Sequence, residues 1–205
     1  MGAPERLLSH MGYSSIMGVD EVGRGPLAGN VVAAAVVFPR VLPSALSSLT
    51  DSKKLSESKR MSLIPHILDT ALTYGVGWAS PAEIDRVNIL QATFIAMRRA
   101  VYRAVQRAHT KPDIVLVDGN HLIPELIHPQ ATLVKGDARS YAIAAASVLA
   151  KVTRDREMVL AERIYPGYGF ARHKGYGTLA HRRALTEHGP TPIHRRSFKW
   201  ESVKD

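Results

Sequence analysis

Two adjacent carboxylates, Asp20 and Glu21, lie in the stretch Gly18-Val19-Asp20-Glu21-Val22-Gly23-Arg24-Gly25-Pro26-Leu27-Ala28-Gly29. Mutual repulsion makes such a pair unfavourable for stability alone unless a cation or a donor compensates it. Asp118 and Asp137 follow further short apolar runs, Ile114-Val115-Leu116-Val117 and Ala131 to Val134, the second by way of Lys135-Gly136. Asp20, Glu21, Asp118 and Asp137 together, with no thiol or histidine cluster beside them, make a hard-oxygen donor set. Such a set suits Mg²⁺ or Mn²⁺ rather than Zn²⁺. Two such ions about 3.5–4 Å apart are a recurring device for in-line phosphodiester hydrolysis, one generating the attacking hydroxide and the other steadying the leaving oxygen. Each acid alone reads as a cap, and Asp118-Gly119 is an ordinary turn dipeptide. The joint pattern carries the chemistry.

Asp155 competes for the fourth place. A continuous helix between Asp137 and Asp155 would separate them by about 27 Å. Asp155 also has Lys151 one turn away and arginines on both sides, as expected of an ion-pair residue. Asp137 is therefore the choice. The glycine stretch is not a dinucleotide loop, because it leads into an apolar strand at Val31 and not into a helix. A Gly-Arg-Gly turn lets backbone approach a ligand closely. Its N–H and C=O groups and the guanidinium suit a ribose 2′-hydroxyl, the group that separates RNA from DNA.

These residues need a sheet edge to bring them together. Ser15 to Val19 and Val31 to Phe38 read as strands, as do Leu72 to Trp78, Ile114 to Val117 and Ala131 to Val134. Three of them finish at an acid, so neighbouring parallel strands would converge the carboxylates at one edge. Ser56 reads as the N-cap of a helix to about Thr70, and Ser80-Pro81-Ala82-Glu83 as a capping box opening a long helical region. In that region Leu90, Phe94, Met97, Val101 and Val105 form a buried stripe, and Arg99, Arg103 and Arg107 a solvated line. Ser140 opens a small-residue helix to about Ile164, and a further helix is expected near Thr178 to Glu187. The strand and helix order gives an α/β layer fold with a mixed sheet.

The 205 residues fit one domain and can bury a proper core. The chain has no cysteine and no apolar run of the roughly 18–20 residues that span a bilayer. Its first residues lack the layout of a signal peptide, so a cytoplasmic location is expected. A formal charge of +9 and a pI near 10.0 point to a polyanionic partner, most simply nucleic acid. The tail histidines His173, His181, His188 and His194 lack a zinc motif and are expected to flank phosphates or do nothing specific.

The chain resembles the bacterial type 2 ribonuclease H family, ribonuclease HII. The similarity lies in Asp20 to Gly29, Asp51-Ser52-Lys53-Lys54-Leu55, Val117-Asp118-Gly119-Asn120, Lys135-Gly136-Asp137 with Ala144 to Val152, and His173-Lys174-Gly175-Tyr176-Gly177-Thr178. The resemblance implies a ribonuclease H-like fold, a mixed central sheet flanked by helices with a small C-terminal helical extension. It implies a catalytic domain over residues 1–164 and a substrate-binding extension over 165–205. Asp20, Glu21, Asp118 and Asp137 would bind Mg²⁺ or Mn²⁺, two ions with substrate bound. Gly23, Arg24 and Gly25 would contact the 2′-hydroxyl, Lys53 or Lys54 would hold a phosphate, and Tyr176 would stack on the following deoxyribose.

The implied activity is an endoribonuclease cutting RNA in RNA–DNA hybrids and 5′ of single ribonucleotides in duplex DNA, leaving 3′-hydroxyl and 5′-phosphate ends. The enzyme is expected to be a monomer, with no membrane partner and no clamp-docking segment in Glu201 to Asp205. Two rivals make different demands. A nuclease of branched DNA would ignore the 2′-hydroxyl, and a binding module would show salt-dependent affinity without metal-dependent turnover.

Overall fold

The computed structural model describes residues 1–109 and 111–203. Lys204 and Asp205, the end of the tail expected to lack a clamp-docking segment, lie outside the described residues. The elements in chain order are α1 (Ala3–His10), β1 (Ile16–Val22), β2 (Val31–Val37), α2 (Glu57–Thr70), β3 (Thr73–Ala79), α3 (Pro81–Val87), α4 (Ile89–Ala108), β4 (Ile114–Asp118), β5 (Gln130–Leu133), α5 (Tyr141–Ile164), α6 (Phe170–His173) and α7 (Leu179–His188). The strands form one mixed sheet in the order β3-β2-β1-β4-β5. β1 pairs antiparallel with β2 and parallel with β4, so the ends of β1 and β4 open on the same edge.

Helices cover both faces of the sheet. Met17, Val19, Val115 and Val117 point to α4 and its stripe of Phe94, Met97 and Val101. Val32, Ala34 and Val36 point the other way, onto the small-residue face of α5 and onto Leu63 and Ile67 of α2. Each buried Val, Leu or Ile contributes about 1.5–3 kcal/mol. Alanines from Ala142 to Ala146 let α5 lie against the backbone of β1. At Gly18 a Cβ would overlap the Ala142 carbonyl carbon and the Ile143 nitrogen. Gly18→Ala is therefore expected to cost about 1–3 kcal/mol, read as a lower urea midpoint at unchanged m. An unchanged midpoint would contradict this close seating.

The expected caps are present. Ser56 accepts from the Lys59 N–H, and Ser80 with Glu83 forms the reciprocal capping box. The long helical region is broken, however, at Asn88. There φ is 70° and the side chain caps the Leu90 and Gln91 N–H groups. The arginine line of α4 is not simply solvated. Arg99 donates to the Trp78 carbonyl and pairs with Glu83 at 2.7 Å, while Arg103 donates to the Val76 carbonyl. Arg103 and Arg107 also lie over the Trp78 and Tyr74 rings, each 4.1 Å from the centroid. β3 is an edge strand, and these guanidiniums occupy carbonyls that a stray strand would otherwise pair with. Helix α1 was not anticipated. It has Pro4 in its first turn, and Glu5 reaches the start of α5 by accepting from the Ser140 hydroxyl at 2.7 Å. No helix among the described residues is long and apolar enough to cross a membrane.

Candidate active site

Register brings the acids together, and of the expected strand ends only that at Asp118 is one, the last residue of β4. Asp20 and Glu21 lie within β1, opposite Ala34 and Ala33 of β2. The parallel register pairs Val19 with Val117, so one further step sets Asp118 beside Asp20. The pleat sends alternate residues to opposite faces. Asp20 thus shares the α5 side with Gly18, and Glu21 takes the other side at the rim. Asp137 is not at a strand end either. It sits on a 3₁₀ turn, Gly136–Ala138, beyond β5 and just before α5. The Gly136 N–H donates to Asp118 Oδ1 at 2.7 Å, which ties this turn to the end of β4.

The local fields follow from this crowding. Burial, then the charges of Glu21 and Asp118, push the Asp20 carboxyl well above its ordinary range. Burial also raises Glu21; Arg24 opposes the rise and Asp118 adds to it. Asp137 is raised by burial, by Asp118 and by Asp51, with Lys53 pulling the other way. Asp20 is held in place by the Glu21 N–H at 2.7 Å, and the nearby Ser147 hydroxyl donates to the Ser52 hydroxyl at 2.8 Å. Among the described residues, no three His, Asp or Glu side chains cage an ion unaided. Desolvated carboxylates repelling one another fit a hard divalent cation, which keeps several waters and takes phosphate oxygens as further ligands.

Asp51 is the carboxylate that sequence reasoning left out. It faces Asp137 within hydrogen-bonding range, and its Oδ1 accepts the Lys53 N–H at 2.9 Å. Its place at the head of Asp51-Ser52-Lys53-Lys54-Leu55 was the available signal. Lys53 reaches toward Asp137, and Lys54 is exposed on the same turn. Asp155 makes the expected ion pair, 2.7 Å from Lys151. It also lies 3.8 Å from Arg60, whose guanidinium donates to the Ser52 carbonyl at 2.9 Å, so it supports the lysine turn from behind.

The glycine loop between β1 and β2 is gripped by two buried arginines. Arg195 donates to the carbonyls of Gly23 (2.6 Å), Arg24 (2.9 Å) and Gly29 (2.8 and 3.0 Å). Arg154, fully buried on α5, donates to those of Ala28, Asn30 and Lys174. Gly23 has φ 93°, and a Cβ there would overlap Arg154 Nε. The loop also pairs with the tail, through a bridge between Ala28 and His194 and a bond from the Arg195 N–H to the Leu27 carbonyl at 2.9 Å. Arg24 stays half exposed, 3.5 Å from Glu21. A Cβ on Gly25 would lie 3.7 Å from the Tyr176 ring. Carboxylates, glycine turn and Tyr176 therefore line one continuous wall.

A family model for ribonuclease HII matches residues 17–201, a span that takes in every part of this wall. The chain belongs to the ribonuclease HII family. A ribonuclease HII from Syntrophotalea carbinolica is 55% identical over 195 residues, covering 95% of this chain and 90% of its own. The crystal structure of ribonuclease H2 from Pyrococcus horikoshii superposes with TM-score 0.71 at 28% identity, covering 90% of this chain and 94% of that one. A Bst ribonuclease HIII solved in complex with Mn²⁺ shares the fold at TM-score 0.71 and 21% identity, covering 91% of this chain and 67% of its own. As a ribonuclease HII family member the protein is a hydrolase, an endoribonuclease of RNA–DNA hybrids, on the ribonuclease H-like fold that its mixed sheet and flanking helices predict.

Proposed function

We propose that the enzyme cuts the phosphodiester on the 5′ side of a ribonucleotide, including a single ribonucleotide embedded in duplex DNA, and leaves 3′-hydroxyl and 5′-phosphate ends. Asp20, Glu21, Asp118 and Asp137 hold Mg²⁺ or Mn²⁺, two ions when substrate is bound. The ions supply an activated water and charge stabilisation on the leaving oxygen. The Mn²⁺ of the related ribonuclease HIII structure accords with this donor set.

The observation that carries the reading is the shared wall. The acids adjoin a glycine turn whose carbonyls are fixed by Arg154 and Arg195. A turn held so firmly presents its remaining N–H groups and the Arg24 guanidinium to a sugar edge at little reorganisation cost. Gly23, Arg24 and Gly25 then hydrogen-bond the 2′-hydroxyl, and Tyr176 stacks on the next deoxyribose. Lys53, with Lys54 beside it, holds the phosphate near the cut. Residues 1–164 carry the chemistry and 165–205 form the substrate-binding extension. A groove of about 710 Å³ beside Leu27 and Gly177, lined in part by Arg182, Arg196 and Lys199, gives the duplex backbone a basic track.

Arg24→Ala tests the turn directly. It should lower kcat/KM on a single-ribonucleotide duplex about tenfold, the worth of one charge-assisted hydrogen bond. Unchanged kinetics would remove Arg24 from the site.

A further inference from the structure

Three of the tail histidines, His173, His181 and His194, form one ordered structure that neither catalysis nor charge explains. His181 is fully buried and His194 nearly so. His173 stacks on His181 with ring centroids 4.5 Å apart, and Phe170 meets His181 edge-on at 5.4 Å. The hydrogen bonds among these rings can have only one direction. A carbonyl only accepts, so His181 Nδ1, 3.0 Å from the Tyr176 carbonyl, carries a proton and donates it. Burial holds His181 down to about 4, so near neutral pH its other nitrogen, Nε2, is a bare acceptor. His194 Nε2, 3.0 Å away, must therefore be the donor. His194 Nδ1 is then the acceptor, and it receives the Thr191 N–H at 2.9 Å and the Thr191 hydroxyl at 2.8 Å. Protons thus point one way along Thr191, His194 and His181 to the main chain of Tyr176. His173 fastens the same turn from the other side. Its Nε2 donates to the Tyr168 carbonyl at 2.7 Å and its Nδ1 accepts the Gly175 N–H at 3.2 Å.

We propose that His181 is a positioning residue for Tyr176, and that the Thr191–His194–His181 line fixes where the tyrosine ring meets the sugar beyond the cut. The proposal rests on the reading of Tyr176 as the residue that senses the RNA–DNA junction. Tyr176 is 45% exposed, and its main-chain carbonyl is the point at which His181 holds it. The line also joins it to the segment carrying Arg195, which grips the glycine turn.

The test compares kcat/KM on a DNA duplex carrying one ribonucleotide with kcat/KM on a hybrid whose cleaved strand is all RNA. For His181→Leu the ratio of the two should fall about tenfold, the effect of losing one supporting residue behind a contact, because an all-RNA strand places no deoxyribose under Tyr176 and depends less on where the ring sits. His181→Asn, whose amide nitrogen lies near the position of Nδ1, should recover most of the ratio. A wild-type ratio in His181→Leu, while Tyr176→Ala loses it, overturns the positioning role alone. A wild-type ratio in Tyr176→Ala overturns the reading of Tyr176, and this proposal with it. The proton order is checked without any variant by ¹⁵N spectra of histidine-labelled protein. Nδ1–H at His181 and Nε2–H at His194 support the line, and the opposite tautomers overturn it.

Discussion

Asp118→Asn should lose about 10³-fold or more in turnover, on the order of 4 kcal/mol of transition-state stabilisation, while the metal-free protein melts at a higher temperature than wild type. Activity falls because an amide is a poor ligand for a hard divalent ion. Stability rises for a reason visible in the crowding of the carboxylates. The charge of Asp118 adds to the upward shift of both Asp20 and Glu21. A carboxyl whose value is raised in the fold binds more protons there than in the unfolded chain. Its stabilising contribution is fully present below the ordinary carboxyl range and is lost as pH rises through the raised value. At neutral pH the wild type therefore carries this repulsion, and Asp118→Asn relieves part of it. A relief near 1 kcal/mol raises the melting temperature of a chain this size by about 2–4 °C. Asparagine keeps an oxygen for the Gly136 N–H, so the turn that holds Asp137 stays in place. Calorimetric melts at neutral and mildly acidic pH, with Mg²⁺ and without, check this. The gain should vanish toward acidic pH. A folded variant with normal turnover would remove Asp118 from the site.

Arg195→Met should be the most damaging single change outside the acids. The guanidinium serves the Gly23, Arg24 and Gly29 carbonyls from a position only 2% exposed, and it lies 5.0 Å from the Phe198 ring centroid. Methionine fills the space and leaves these acceptors without a donor, at a cost on the order of 3 kcal/mol or more. The loop then loses its fixed shape, and discrimination between ribonucleotide and deoxyribonucleotide should fall about tenfold or more. Arg195→Lys should rescue little, because an ammonium cannot reproduce a planar fork spread over separate carbonyls. Denaturant melts and paired kinetics on ribonucleotide-containing and all-DNA duplexes measure the two effects. Wild-type stability in Arg195→Met would show that the loop holds its shape without the arginine.

The two arginines also mark where sequence reading stops. Asp20, Glu21, Asp118 and Asp137 stood out because acids beside glycines after apolar runs are few and their chemistry is shared. The strands were legible as short continuous apolar runs, such as Val31 to Val37, bounded by turn residues. Arg154 and Arg195 carried no such signal. In a basic chain an arginine reads as surface charge, and only the tertiary fold shows that these two are buried under carbonyls of a distant loop. The histidines were illegible in the same way, because their spacing fits no ligand motif while their burial, set by Phe170 and Tyr168, decides their role. Asp51 hid behind its own local job of capping the Lys53 N–H. Helix α1 was missed because eight residues with no buried side chain give little periodic pattern to read.

Incision of a DNA duplex bearing one ribonucleotide, with Mg²⁺ or Mn²⁺ and without, beside an all-DNA duplex of the same sequence, is the most direct test of the active site. The predicted result is a metal-dependent cut of the first duplex alone, immediately 5′ of the ribonucleotide, with 3′-hydroxyl and 5′-phosphate ends. Folded protein that binds both duplexes and cuts neither, or cuts both alike, would contradict it.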